Sequence, residues 1–110
     1  MVSSDIRFTP QAEIDVNQAI SYIIDEFGDK DAAKKLHDML LSTIDRIRIF
    51  PEICELVDNK LIKSENVRRA LVSNYLLFYL FDKSKSTVVI LRFVYCKRSI
   101  IELLKEVSNE

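Results

Sequence analysis

"NVRRALVSNYLLFYLFDKSKSTVVILRFVYCKRS", residues Asn66–Ser99, is the stretch that decides the fold. Val67–Ser73, Tyr75–Asp82 and Thr87–Cys96 are rich in Val, Ile, Leu, Phe and Tyr, the residues that suit a pleated, half-buried surface. The links between them are short and polar, so they predict hairpins and an antiparallel meander. Cations bracket the stretch, with Arg68 and Arg69 at one end and Lys97 and Arg98 at the other. Arg92 lies inside the apolar run "STVVILRFVY".

Upstream, "SDIRF" alternates as a first strand and ends at Thr9-Pro10. Pro10 suits the first turn of a helix, with Thr9 as its N-cap and Glu13 near the capping-box position. Ala12, Val16, Ala19, Ile20, Ile23, Ile24 and Phe27 recur at spacings of three and four, an apolar helical stripe. Gly28, the only glycine, sits where that helix should stop and reads as a left-handed cap. Asp29 or Asp31 can cap a second helix with the stripe Ala33, Leu36, Leu40, Ile44 and Ile47, ending near Phe50-Pro51. Helices joined so closely must lie antiparallel, as an α-hairpin. "EICELVDNKLIKSEN" has no clean period and reads as a loop. Downstream, Ser99 can cap a last helix along Ile100, Ile101, Leu103, Leu104 and Val107. The expected class is α+β in the order βααβββα: an antiparallel sheet, the α-hairpin on one face, and a C-terminal helix.

With 110 residues and 48% hydrophobic content, one domain spanning 1–110 is expected. No apolar run reaches the roughly 18 residues of a membrane span, and the first residues carry no secretion signal. Cys54 and Cys96 read as buried or half-buried thiols in a reducing cytoplasm. His37, among Lys34, Lys35 and Asp38, reads as a solvated helix position, so no metal and no cofactor is expected. Net charge is −1, but the first 58 residues carry six Lys/Arg against twelve Asp/Glu, and the remainder ten against five. That asymmetry suggests a basic working surface on an acidic body. The carboxylates of the first half are ascribed to solvated helix faces.

An unpaired charge on a buried face costs several kcal/mol, so Arg92 is expected to face a solvated hollow or an anion. With helices on one sheet face, the other becomes the expected functional surface. Its cationic rim would be Arg68, Arg69, Arg92, Lys97 and Arg98, with Tyr75, Tyr79 and Tyr95 among them. Guanidinium forks suit phosphate, and a phenol can donate a proton or stack on a base. Cleavage through the RNA 2′-hydroxyl needs a base, charge stabilisation and a proton for the leaving oxygen. Arginines meet the second need and Tyr95 the third, while no residue of this region is an evident base.

"PQAEIDVNQAISYI", "AAKKLHDMLLSTIDRIRIFPEI" and the quoted sheet stretch together resemble the RelE/ParE superfamily of type II toxin–antitoxin toxins. The specific pieces are Ala12 with Asp15, "IRIFPEI", the series Arg68, Val72, Tyr75, Tyr79, and the closing "LRFVYCKRS". The resemblance implies a toxin neutralised by a cognate antitoxin that wraps it with a helix and an extended segment. RelE-like members cut mRNA on the ribosome; ParE-like members inhibit DNA gyrase. Carried over, Arg68 matches the arginine opening the second strand, Tyr95 stands where many members have His, and Arg98 matches a basic residue after the last strand. Leu76 stands where ribosome-dependent relatives often have Arg. The expected catalytic set is therefore Arg68, Tyr95 and Arg98, with Arg69, Arg92, Lys97 and Tyr75 binding substrate. Three readings stay open: a ribosome-dependent mRNA endonuclease, a gyrase inhibitor, and an inactive partner-binding remnant.

Overall fold

A computed structural model describes residues 3–57 and 66–97 of the chain. Strand β1 (Asp5–Phe8) leads into α1 (Pro10–Phe27), then α2 (Lys30–Ile49), β2 (Val67–Val72), β3 (Tyr75–Asp82) and β4 (Thr87–Tyr95). The fold is α+β, as expected. The expected C-terminal helix from Ser99 lies outside the described residues.

Local chemistry sets the helix limits. The Thr9 hydroxyl accepts from the Ala12 N–H at 3.1 Å, and the Asp29 carboxylate accepts from the Ala32 N–H at 2.9 Å. Between the helices Gly28 takes φ +60°, and its N–H closes α1 on the Ile24 carbonyl at 2.8 Å. Nothing lies within 4 Å of where a Cβ would stand there, so only backbone strain opposes a side chain. Gly28→Ala is therefore expected to lose about 1–2 kcal/mol, and Gly28→Asn less, in urea denaturation.

The sheet order is β1-β4-β3-β2. The predicted meander of β2, β3 and β4 is antiparallel, but β1 pairs with β4 in parallel, Asp5 beside Thr87 and Phe8 beside Ile90. The sheet is thus mixed. The edge strand β1 and the interior β4 are joined through both helices, β2 and β3, and a long connection is what parallel pairing demands. The hairpin covers one face, where Ala12, Ala19, Leu36, Leu40, Ile44 and Ile47 meet Leu77, Tyr79, Val88, Ile90 and Phe93. Each fully buried Ile, Leu or Val there contributes roughly 1.5–3 kcal/mol. The opposite face is not the solvated cationic hollow expected above. It holds a second apolar cluster of Val67, Phe78, Leu91 and Val94, with Leu76, Leu80 and Val89 packed against it. No helix among the described residues is long and apolar enough to cross a membrane.

Candidate functional site

β1 stops at Phe8, opposite Ile90, so β4 continues for five residues with no strand on that side among the described residues. Thr9 and α1 cover the gap. The Thr9 N–H donates to the Ile90 carbonyl and its hydroxyl to the Leu91 carbonyl, both at 3.0 Å. Farther along, the Asp15 carboxylate accepts the Phe93 N–H at 3.0 Å and the Arg92 Nε–H at 2.7 Å through Oδ2. Its Oδ1 accepts from Arg92 Nη2 at 3.3 Å and from Gln11 at 3.0 Å. Arg92 is 5% exposed and Asp15 is buried with it.

This overturns the expectation that Arg92 lines an open hollow and binds substrate. A register shift explains why simple alternation misplaced it. Phe78 pairs with Arg92 but Tyr79 pairs with Ile90, leaving Leu91 as an extra residue in β4. Such a bulge changes which way the following side chains point. Phe93 thereby joins Val88 and Ile90 on the helix side. Asp15 is buried, not on the solvated helix face expected for the carboxylates of the first half. The signal was present: it lies three residues after Ala12 and four before Ala19, on the buried stripe.

Arg68 and Arg69 are also engaged within the chain. Arg68 Nη1 donates to the Cys54 carbonyl at 2.6 Å and the Glu52 carbonyl at 3.2 Å, and Nη2 lies 3.5 Å from the Glu52 carboxylate. Arg69 grips Glu55 Oε1 through Nε at 3.1 Å and Nη2 at 2.8 Å. Beside them the buried Tyr79 donates to the Pro51 carbonyl at 3.0 Å. These contacts lash the segment after α2 to β2. Arg68 pairs with Tyr79, four residues along β3 from Tyr75, or about 13 Å at roughly 3.3 Å per residue. The predicted catalytic pair Arg68 and Tyr95 is therefore not brought together. Arg98 lies outside the described residues.

Tyr75 and Tyr95 do converge. They are register partners with ring centroids 5.6 Å apart, and Tyr75 stacks on Phe93 at 4.8 Å. Lys97 is exposed just beyond. Together with Tyr22 and Phe27 from the end of α1, and Met39 from α2, these rings line a groove of about 860 Å³. It opens where the hairpin diverges from the far end of the sheet. Tyr22 and Phe27 are 55% and 69% exposed, too apolar a pair for an indifferent surface. Phe27 belongs to the apolar stripe expected of α1, whereas Tyr22 lies outside it. Among the described residues no three His, Cys, Asp or Glu side chains come together as metal ligands.

Burial raises the Tyr75 phenol above its usual value of 10.0, with Tyr95 and Tyr22 adding to the effect. Burial likewise raises Tyr79 strongly, helped by its neighbour Cys54. Both therefore hold their protons more tightly folded than unfolded. Their contribution is complete below pH 10 and is lost as pH rises above it, where the unfolded chain ionises first. Denaturation midpoints are expected to fall above pH 10, and Tyr79→Phe to flatten that fall.

Over residues 6–100 the sequence matches the family described as "ParE toxin of type II toxin-antitoxin system, parDE". No curated protein matches it. Solved structures share the fold, three of them with the following likeness to this chain. One is from the toxin–antitoxin complex RelBE2 of Mycobacterium tuberculosis: 20% identity, 86% of this chain and 99% of that one, TM-score 0.58. A second is from a chromosomal ParDE system of P. aeruginosa: 11% identity, 86% and 98%, TM-score 0.65. A third is from the archaeal RelE–RelB complex of Pyrococcus horikoshii OT3: 16% identity, 89% and 100%, TM-score 0.55.

Proposed function

Because this chain belongs to the ParE toxin family of type II toxin–antitoxin systems, we propose that it acts as a toxin by binding its target rather than by cutting RNA. DNA gyrase is the target we assign to it, and a cognate antitoxin its neutralising partner. The observation that carries this reading is the engagement of the arginines. Charge stabilisation of a phosphoryl transition state needs donors aimed at open space where the charge develops. Arg68, Arg69 and Arg92 instead donate to Glu52, Cys54, Glu55 and Asp15 of their own chain. The apolar groove suits a protein contact better than a polyanion.

Purified protein at micromolar concentration is expected to inhibit gyrase supercoiling, while primer extension on translated mRNA shows unchanged transcripts. Cleaved transcripts without gyrase inhibition would overturn the proposal. They would favour the second reading, ribosome-dependent cleavage, which the neighbouring Tyr75 and Tyr95 and the exposed Lys97 support. Absence of both activities, with normal growth on expression, would favour an inactive remnant.

Arg68→Ala separates a brace from a target contact. Losing charged hydrogen bonds to two carbonyls is expected to lower stability by about 1.5–3 kcal/mol. Inhibition per folded molecule should stay unchanged. A loss of inhibition on the order of a hundredfold at full folding would place Arg68 in the contact with the target.

A further inference from the structure

The chain has four tyrosines and no tryptophan, so tyrosine is the aromatic side chain from which an electron is most easily taken. The four differ in their surroundings. Tyr79 is sealed in the core, and the ring contact of Tyr22 is with Phe27. Tyr75 and Tyr95 are the one pair of tyrosines in ring contact among the described residues, with centroids 5.6 Å apart. They are register partners on β3 and β4. Side chains directly opposite in an antiparallel pair share one face of the sheet, with Cβ atoms about 4.5–5.5 Å apart. The two phenols are therefore brought together by the backbone itself, and not by a chance rotamer.

Their setting combines fixation with access. Phe93 stacks on Tyr75 at 4.8 Å with an interplanar angle of 10°, so one ring of the pair is held from the side. The Cys96 N–H donates to the Asn74 carbonyl at 2.8 Å and keeps this end of β4 in register. Tyr95 is 41% exposed, and both rings line the open groove, where a solvent-borne oxidant can reach them. The Tyr75 and Tyr95 rings are tilted by 53° and not stacked face to face, a geometry in which ring edges can meet. The ring edge carries the carbons ortho to the hydroxyl, where the unpaired electron of a phenoxyl radical is delocalised.

We propose that Tyr75 and Tyr95 form an oxidative modification site, at which a one-electron oxidant such as a peroxidase with hydrogen peroxide joins the two rings as a biphenol. Each phenol gives up one electron to the oxidant and its hydroxyl proton to water. The two phenoxyl radicals then form a carbon–carbon bond between ortho positions. The hydrogens displaced from those carbons move to the oxygens and restore both hydroxyls. Two hydrogens leave the protein in all, and one hydrogen peroxide is reduced to two waters. The bond staples β3 to β4 at the end away from their Asp82–Thr87 turn and fixes the sheet-side wall of the groove. The assignment goes beyond the toxin reading and holds whichever target the toxin has.

The test treats the dilute full-length chain with peroxidase and hydrogen peroxide. The monomer is expected to lose the mass of two hydrogens and to gain the blue fluorescence of a biphenol, which tyrosine lacks. Trypsin should then release Ala70–Lys83 joined to Phe93–Lys97. Tyr75→Phe and Tyr95→Phe each keep the ring and the fold and should abolish the product, while Tyr22→Phe should form it as wild type does. Cys96 lies in the same tryptic peptide as Tyr95, so Cys96→Ser, which should still form the biphenol, separates this bond from a thioether. The linked monomer is expected to unfold at higher urea than the untreated chain, since the bond restricts the unfolded state. A link that survives Tyr95→Phe, one that is lost in Cys96→Ser, or coupling mainly between chains would each overturn the site. So would a biphenol that forms in urea-unfolded protein but not in the folded chain, or a linked monomer with an unchanged urea midpoint.

Discussion

Asp15→Ala is expected to lower the free energy of unfolding by about 3–5 kcal/mol, the usual consequence of stripping one partner from a buried ion pair. The Arg92 guanidinium would lose its carboxylate while 5% exposed. The Phe93 N–H would lose its acceptor at the same time. Urea denaturation of the purified variant measures the loss. Asp15→Asn should fall between wild type and Asp15→Ala, since an amide oxygen can still accept from Phe93. The double variant Asp15→Leu/Arg92→Met should recover much of the loss, because two apolar side chains leave no charge to desolvate. A double variant as unstable as Asp15→Ala would mean that Asp15 acts on the β4 edge chiefly through Phe93.

Tyr79→Ala is expected to cost a similar amount, about 3–5 kcal/mol, through a cavity at the centre of the helix-side core. Tyr79 has no exposed surface and packs where β3 faces the hairpin. Tyr79→Phe separates the two contributions of the side chain. It keeps the ring and removes the hydroxyl that reaches Pro51, so about 1 kcal/mol is expected. If Tyr79→Phe were as damaging as Tyr79→Ala, the bond to Pro51 would outweigh the ring.

What could be read from residues alone follows from how local each cause is. Thr9, Gly28 and Asp29 act within a few residues, and each caps its helix as its chemistry demands. The three strands of the meander needed only composition and short links. The parallel pairing of β1 with β4 is different, because it depends on where a connection through both helices, β2 and β3 returns, and four residues carry no period to announce it. Arg92 shows the same limit at a candidate site. Its burial was legible, but its partner lies 77 residues away and its direction depends on a bulge at Leu91. The Arg68 contacts had no signal at all. Their acceptors are backbone carbonyls of an irregular segment, and every residue type carries one.

The parallel register of β1 with β4 also bears on synthesis. The sheet cannot close until Thr87–Ile90 have left the ribosomal tunnel, and the Asp15 clasp waits for Phe93. Such long sequence separations make closure a late event. A chain stopped before that point has the β2–β3 hairpin but lacks β4, the only strand that pairs with β1 among the described residues. Such a product also lacks Arg92 and the Phe93 N–H, so Asp15 would be left without the two β4 groups it holds in the folded chain.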